Sequence, residues 1–377
     1  MPWLARTLRL SRAVVALVAF SPLVACAKPP IKIGVALPLT GVAAYRGVAA
    51  RNAITLQAEG LNASGGIKGR RLELVIRDDA DQRDRTLAAD RELMDLGVAA
   101  IVGNMNSAAA LPVPALATER RVPIVSPSIS ASIYSGKDDY FFRTCGLAAP
   151  TGLVLGEWAS RRGLKKVAVA LDVSNESYSR PLYETFKSAF EGDGRKIATV
   201  VSFSIAPGGD YSALFGALIS SHPDGLLCLT SAAVCAAICQ SLANSGQKAQ
   251  VIAPMGVMTP DLFLLGGATV DGLVVSSYFD PESREPRYLD FASRYEAAYG
   301  RDPDLASCQG YDAMTCLVQA MRRARSLDGP GIREALRGLG SFEALQDLRR
   351  MDEFGDAIQS QTLLVADRGK FIRLEKN

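Results

Sequence analysis

Short apolar runs alternate with amphipathic stretches along the first third of the chain. Residues 31–37 form a largely apolar run, and residues 46–61 then place apolar side chains on one helical face. Glycines in segment 62–66 can adopt the positive φ that ends a helix. Such apolar runs are typical of a parallel sheet that is buried on both faces. The same alternation predicts strands at 72–77, 98–102 and 122–125 and helices at 86–94 and 111–119.

A second series of the same kind begins after Arg143-Thr144. Near the C-terminus, the apolar runs 363–365 and 371–374 flank a polar turn at 367–369 and predict a β-hairpin. Two βαβ series in one chain predict an α/β fold with two doubly wound lobes. The second series predicts helices at 152–161, 181–190, 211–220, 233–244, 288–299 and 309–325, and strands at 166–171, 197–203, 225–229, 251–253 and 274–275.

The N-terminus carries the pattern of an export signal. Arg6, Arg9 and Arg12 precede an apolar run at 13–20. That run is too short to span a bilayer, which requires about 20 apolar residues in a helix. A basic segment followed by a short apolar run is typical of a secretory signal peptide. We therefore expect a signal peptide at 1–25.

The signal ends in the sequence LVAC at 23–26, which resembles the lipobox of bacterial lipoproteins. This resemblance implies cleavage before Cys26 and a lipidated N-terminus at 26–30. Two acyl chains would hold the exported protein at a membrane, where a single chain would not. The alternative is an ordinary cleaved signal followed by an unrelated cysteine.

Charge and length favour a protein that handles small molecules. The chain of 377 residues has 42 basic and 39 acidic residues, and the signal contributes three arginines, so the mature chain is neutral. A neutral chain without a basic stripe argues against nucleic-acid binding. The length exceeds what a single hydrophobic core usually supports, which agrees with two lobes.

The cysteine and histidine content gives little support to a metal site. No Cys-x-x-Cys pair occurs, and His222 is the single histidine. We therefore interpret the remaining cysteines as small buried apolar side chains and expect neither metal nor cofactor. These cysteines are Cys145, Cys228, Cys235, Cys239, Cys308 and Cys316.

A set of short sequence motifs occurs in a fixed order from residue 31 onward. It consists of IKIGVALPLTG at 31–41, LNASGGIKGR at 61–70, LELVIRDD at 72–79, VG at 102–103, IVSP at 124–127, YFFRT at 140–144, GYDA at 310–313 and EFGD at 353–356. This ordered set resembles the leucine/isoleucine/valine-binding protein family, which comprises branched-chain amino-acid binding proteins of ABC transporters.

The resemblance implies a type I periplasmic-binding-protein fold, in which three hinge crossovers join two lobes. Here the crossovers are expected near Thr144, at 276–280 and near Gly340. Lobe 1 would then comprise 31–144 plus 278–340, and lobe 2 would comprise 145–277 plus 341–377.

Candidate ligand contacts follow the ends of two predicted strands. Backbone N–H groups at a helix start, together with hydroxyl groups, are suited to bind a carboxylate. Ser107 falls at the position of the family's carboxylate-binding serine, and Asn106 beside it could contact the ligand or cap the helix instead. Ser128 and Ser130 match positions that contact the ligand's carboxylate and ammonium. Serines after a strand also form ordinary turns.

Two tyrosines and a methionine complete the candidate site. By the resemblance, Tyr178 would close over the ligand from the second lobe, and Tyr45 would form an aromatic wall. Either tyrosine could instead be half-buried surface packing. Met255 stands where leucine-type members carry an acid that pairs with the ligand's ammonium. An unpaired ammonium would be costly to bury, so the ligand is expected to be an apolar carboxylate or amide without a free amine.

A different acid could replace the one that Met255 lacks. Asp172, Glu176 and Asp280 are the candidates near the predicted site, and with one of them the ligand could keep its amine. The sequence leaves this alternative open.

The sequence offers little material for an enzyme. Nucleophilic hydrolysis usually needs a base beside the nucleophile, and His222 lies in a turn. The sequence SGQK at 245–248 matches Ser-x-x-Lys but falls at a helix end, where that chemistry is not expected. We therefore expect a non-enzymatic protein that binds a small amino acid, or a related apolar carboxylate or amide, by hinge closure and delivers it to ABC permease subunits. The alternative is a sensory module with the same fold that acts on a separate signalling partner.

Overall fold

The computed structural model describes residues 28–205 and 209–374. The expected signal peptide and Cys26 lie outside the described residues. The first five strands form a parallel sheet whose spatial order is second, first, third, fourth, fifth. The strands are β1 (Ile31–Leu37), β2 (Leu72–Asp78), β3 (Ala100–Gly103), β4 (Ile124–Ser126) and β5 (Phe141–Arg143), and helices α1 (Ala44–Ala63), α2 (Arg83–Asp95) and α3 (Val113–Arg120) connect them.

The next part of the chain repeats this alternation. It forms α4 (Ala149–Arg161), β6 (Lys166–Asp172), α5 (Glu176–Phe190), β7 (Lys196–Phe203), α6 (Ser212–Ser220), β8 (Gly225–Leu229), α7 (Ala232–Asn244), β9 (Gln250–Pro254), α8 (Pro260–Gly266) and β10 (Val274–Ser277).

The last part of the chain contributes to both halves of the molecule. Its elements are α9 (Pro286–Tyr299), α10 (Leu305–Arg323), α11 (Gly329–Arg337), β11 (Ser341–Glu343), β12 (Leu348–Met351), β13 (Ala357–Ile358), β14 (Thr362–Asp367) and β15 (Lys370–Arg373). Strands β14 and β15 form a hairpin that joins the second sheet, which has the order β15-β14-β10-β9-β8-β6-β7. A separate small sheet has the order β11-β12-β13.

The first sheet and the second sheet confirm the expected α/β architecture with two doubly wound lobes. Strands β3 and β8 are buried along their whole length, as apolar runs in a parallel sheet must be. The predicted helices and strands are present, and their ends differ by a few residues. The prediction missed β5, α8, α11 and the small sheet, all of which are short.

Helices α1 and α10 pack closely at Gly310. A Cβ atom built on Gly310 would lie 2.7 Å from the Ala50 carbonyl oxygen, so a larger residue would force the helices apart. At the start of the same two helices, the Tyr45 hydroxyl donates a hydrogen bond to the Asp304 carboxylate. The packing therefore holds the first turns of both helices side by side.

The small sheet packs on the first lobe rather than on the second. Phe342 and Met351 share one hydrophobic cluster with Leu317 of α10 and with the strands of the first sheet. We accordingly propose that the third crossover lies between β13 and β14, and not near Gly340.

Arg349 joins the segments that pass between the lobes. It is 4% exposed, and its Nη1 donates to the Thr144 carbonyl oxygen at 3.0 Å and to Asp312 Oδ2 at 2.9 Å. Its Nη2 donates to Asp347 Oδ1 at 2.9 Å, and its guanidinium carbon lies 5.8 Å from the centre of the Tyr278 ring. Thr144 follows β5 and Tyr278 follows β10, so one buried cation contacts two proposed crossovers.

Further polar contacts join the same region. Arg143, at the end of β5, is 1% exposed and pairs with Asp356 through Nε at 2.7 Å and Nη2 at 2.6 Å. The Gly146 backbone N–H donates to Gln359 Oε1 at 2.6 Å, which links the first proposed crossover to the third.

We predict that Arg349→Met lowers the free energy of unfolding by about 3–5 kcal/mol, because it leaves Asp312 buried without its counter-ion. Arg350→Met is the matched control, because Arg350 is the next residue of β12 and its side chain is exposed. The control should change stability by less than about 0.5 kcal/mol. Urea denaturation of both variants tests this, and equal losses would contradict the assigned role of Arg349.

Candidate functional site

A cleft lies between the two lobes, where the carboxyl ends of both sheets face each other. Its empty volume is about 630 Å³, with the open solvent at its mouth included. Small-molecule sites occur preferentially in clefts between domains. In the part of the chain that the structure describes, the cleft is lined by Tyr45, Arg46, Met105, Ser107, Ser128, Ser130, Asp304, Leu305, Ala306 and Gln309 from the first lobe and by Asn175, Tyr178, Met255, Gly256, Met258 and Thr259 from the second.

Six of the seven residues proposed from the sequence line this cleft: Tyr45, Ser107, Ser128, Ser130, Tyr178 and Met255. The cleft brings them together because parallel strands end at the same edge of a sheet. The exception is Asn106. Its Oδ1 accepts hydrogen bonds from Ala108 N at 2.8 Å and Ala109 N at 3.1 Å, and its Nδ2 donates to Asp81 Oδ2 at 3.1 Å. Its side chain thus shapes the turn that leads to α3.

Hydroxyl groups connect the two loops that follow β3 and β4. Ser126 Oγ donates to the Asn104 carbonyl oxygen at 2.8 Å, and Ser128 Oγ donates to the Met105 carbonyl oxygen at 3.0 Å. Ser107 is 3% exposed. These bonds fix the segment 103–107, which we call the ligand loop, against the loop after β4.

Arg46 is a cleft residue that the sequence analysis missed. Its Nη2 donates to Ser128 Oγ at 3.3 Å. The glycine that follows, Gly47, lets the start of α1 lie close to Pro38. A Cβ atom at residue 47 would lie 1.9 Å from the Pro38 carbonyl oxygen and would displace the start of α1, and Arg46 with it. Among the described residues that line the cleft, Arg46 is the one with a positive side chain.

Tyr178 faces this cation from the second lobe. Burial raises the pKa of the Tyr178 hydroxyl, and the positive charge of Arg46 opposes that rise. The lobes also touch nearby, because the Ala108 backbone N–H donates to Asn175 Oδ1 at 3.2 Å. A ligand beside Arg46 would therefore contact both lobes.

Asp304 provides the negative charge of the cleft. It caps α10 by accepting from Ser307 N at 2.8 Å, and its other oxygen accepts from the Tyr45 hydroxyl. The Arg301 guanidinium carbon lies 5.4 Å from the centre of the Tyr45 ring. Burial lowers the pKa of Arg301, but its hydrogen bond to Tyr295 and, to a lesser extent, the charge of Asp304 raise it above its ordinary value. Asp304 is thus already engaged with protein donors.

The acids considered from the sequence are engaged elsewhere. Asp172 Oδ1 accepts from the backbone and the hydroxyl of Ser174, at 2.8 Å and 2.7 Å. Asp280 pairs with Arg373 at 2.6 Å. The third, Glu176, pairs with Arg180 at 2.7 Å on the surface of α5.

Three methionine side chains contribute apolar surface to the cleft. Met105 comes from the ligand loop, while Met255 and Met258 come from the segment after β9. Met255 is 7% exposed and belongs to the hydrophobic cluster of the second lobe. Leu305 continues this surface on the opposite side. The cleft therefore combines a cation and hydroxyl groups at one place with a flexible apolar wall beside them.

The described residues include neither a membrane-spanning helix nor a group of metal ligands. In the described ranges, no helix has both the length and the hydropathy to cross a membrane. Over the same residues, no three histidine, cysteine or acidic side chains are grouped so that they could hold a metal ion.

Comparisons with known proteins agree with this architecture. Residues 30–369 match the family model described as periplasmic binding protein. The leucine-, isoleucine-, valine-, threonine- and alanine-binding protein of Pseudomonas aeruginosa is 27% identical over 366 residues, which cover 93% of each chain. A leucine-binding protein from Thermotoga maritima has a TM-score of 0.82 at 27% identity and covers 92% of this chain and 98% of its own. A solute-binding protein from R. palustris, solved in complex with benzoate, has a TM-score of 0.82 at 20% identity, with 92% and 95% covered.

The family match spans most of the chain, and the fold and cleft agree with it. The Pseudomonas aeruginosa and Thermotoga maritima proteins are both named as amino-acid-binding proteins. The chain therefore belongs to the periplasmic binding protein family, as a solute-binding protein of the branched-chain amino-acid ABC transporter type.

Proposed function

We propose that the cleft binds a small apolar carboxylate that lacks a free amine and that hinge closure traps it there. The observation that carries this proposal is the contact of Arg46 with Ser128 in a cleft that Met105, Met255 and Met258 also line. A guanidinium is the group best suited to a carboxylate because it offers several donors in one plane. Met255 offers no charge to an ammonium.

The hydroxyl groups would complete the carboxylate site. Ser107 and Ser130 are 3% and 4% exposed and line the cleft next to Arg46 and Ser128. A carboxylate has lone pairs for about four donors. Ser107 and Ser130 would therefore serve the ligand oxygens that Arg46 leaves free.

An amino-acid ligand is the second candidate, because the cleft also contains Asp304. Its oxygens already accept from Ser307 N and from the Tyr45 hydroxyl. An ammonium would have to compete with these donors and with the nearby charge of Arg301. We therefore favour the ligand without an amine.

The comparisons support both candidates to different degrees. The Pseudomonas aeruginosa and Thermotoga maritima relatives are named for amino acids. The R. palustris protein of the same fold was solved with benzoate, which carries a carboxylate and no amine. This fold therefore accommodates a ligand of the class that the Arg46 and Met255 positions favour here.

Closure would couple binding to transport. A ligand that contacts Arg46 in the first lobe and Tyr178 in the second stabilises the closed state and shifts its population. The closed form would then deliver the solute to the membrane subunits of an ABC importer. We also propose that the protein is exported, is anchored through a lipid on Cys26, and catalyses no reaction.

We predict that one chemical class raises the melting temperature in a thermal-shift panel. The panel pairs leucine with 4-methyl-2-oxopentanoate, phenylalanine with 3-phenylpropanoate, and each acid with its amide. The acids should stabilise the protein and the amino acids should not, because binding to the native state raises its stability. If leucine stabilises the protein and its keto acid does not, the argument from Met255 is wrong.

We predict that Arg46→Met weakens binding of the acid selected by the panel by roughly tenfold to a hundredfold, the equivalent of about 1.5–3 kcal/mol for a hydrogen bond to a charged group. Arg51→Met is the matched control, because Arg51 lies on the same helix and does not line the cleft. Calorimetric titration measures both. Unchanged affinity in Arg46→Met would remove Arg46 from the site.

Ser107→Ala should weaken the same acid by roughly 1–3 kcal/mol, since it removes one buried donor. Binding of the matching amide, if it occurs, should change less because its oxygen is uncharged. The same titration tests this, and no loss for the acid would exclude Ser107 as a contact.

A further inference from the structure

Two buried side-chain oxygen atoms, one on α2 and one on the ligand loop, have no hydrogen-bond partner among the described residues. They are Asp90 Oδ1, on α2, and Asn104 Oδ1, on the ligand loop. Asp90 is 0% exposed and Asn104 is 1% exposed. The other atoms of the same two groups do meet, because Asn104 Nδ2 donates to Asp90 Oδ2 at 3.1 Å.

A single proton would satisfy both orphaned atoms. An ionised carboxylate and an amide oxygen are both acceptors, so neither can serve the other. A protonated carboxyl group has an O–H that can donate to Asn104 Oδ1 while Asn104 Nδ2 donates back to Asp90 Oδ2. Leaving the two acceptors unsatisfied in a buried site would destabilise the fold.

We propose that Asp90 is a positioning residue that holds the ligand loop in its protonated form, through a two-way hydrogen-bonded pair with Asn104. This inference rests on the proposed function, because it assigns the loop to ligand binding. Asp90 touches no ligand itself and acts through Asn104.

The pair is connected directly to the cleft. The Asn104 carbonyl oxygen accepts from Ser126 Oγ, and the next residue, Met105, lines the cleft. The Met105 carbonyl oxygen accepts from Ser128 Oγ, which also accepts from Arg46. A shift of Asn104 would therefore displace the groups proposed to bind the carboxylate.

The surroundings of Asp90 favour its neutral form. Burial raises the pKa of Asp90 to about 8, the charge of Asp79 adds to the rise, and Asn104 opposes it. Helix α2 packs on β1, β2 and α3, whose nearby cations are engaged with other groups. Arg77 pairs with Glu92, Arg120 pairs with Asp95, and Lys32 donates to the Leu96 carbonyl oxygen.

The proton makes stability depend on pH in a defined window. An unfolded aspartate titrates near about 3.9, whereas the pKa of folded Asp90 is about 8. Between these values the folded chain binds the extra proton, so this contribution to stability falls as pH rises and levels off above about pH 8.

Asp90→Asn is the decisive variant, because its side-chain N–H₂ supplies the donor permanently. The melting temperature of the unmodified protein, relative to that of Asp90→Asn, should fall from pH 5 to pH 8 and stay constant above pH 9. Asp84→Asn is the control, because Asp84 is exposed on the same helix. A pH-independent difference between the unmodified protein and Asp90→Asn would overturn the proposal.

A second measurement uses the unmodified protein. Carbon-13 NMR of its aspartate carboxyl groups should show one group that titrates near pH 8, and Asp90→Asn should lack that signal. If every aspartate titrates below pH 7, the proposal is wrong. Stabilisation of the unmodified protein by sodium or calcium ions, absent in Asp90→Asn, would also overturn it, because a cation would then satisfy the oxygens.

Ligand binding separates positioning from simple stability. Asp90→Leu should weaken the acid selected by the panel at least tenfold at pH 6, and Asp90→Asn should restore the affinity. Equal affinity in Asp90→Leu would contradict a positioning role. If no acid binds, the proposed function fails, while the pH and NMR measurements still decide the state of Asp90.

Discussion

Arg349 is a buried cation at the place where the chain passes between the lobes, and the relation of the lobes depends on how its charge is compensated. Its donors are taken by Asp312, Asp347 and the Thr144 carbonyl oxygen, while its guanidinium lies over the Tyr278 ring. Removing one member of such a network leaves a buried charge without a partner.

The same region reaches the cleft through side chains. Gln309 lines the cleft, and its Nε2 donates to the Tyr278 hydroxyl. Tyr278 in turn packs under Arg349. A ligand that contacted Gln309 would therefore be linked to Arg349 through the side chains of Gln309 and Tyr278, and this link would couple binding to the proposed closure.

The cleft itself separates its charges. Arg46 lies beside hydroxyl groups, whereas Asp304 is engaged by Tyr45 and by the first turn of α10. Met255 adds apolar surface where the resemblance implies an acid in leucine-type members. A buried ammonium would therefore have to share Asp304 with the protein donors that already bind it. A carboxylate could pair with Arg46 directly.

The sequence predicted the fold well because the strands are short apolar runs in regular alternation with helices. It missed the small sheet, because β12 reads as a polar segment until Arg349 is known to be buried against Asp312, which lies 37 residues away. It also missed Arg46, whose contact with Ser128 spans 82 residues and exists only in the folded chain.

The family resemblance, and not local signals alone, led to most of the candidate site. It pointed to Ser107, Ser128, Ser130, Tyr45, Tyr178 and Met255, which line one cleft. Asp304 could have been found from its own pattern, because an aspartate three residues before Ser307 is typical of a helix start. Asn106 illustrates the opposite case, since a residue in the right loop serves the turn and not the cleft.

A crystal structure of the liganded protein would show which group Arg46 binds. We expect a carboxylate within hydrogen-bond distance of the Arg46 guanidinium and the Ser107 hydroxyl, with the apolar part of the ligand against Met255. An ammonium bound to Asp304, with the ligand's acid group away from Arg46, would contradict this expectation.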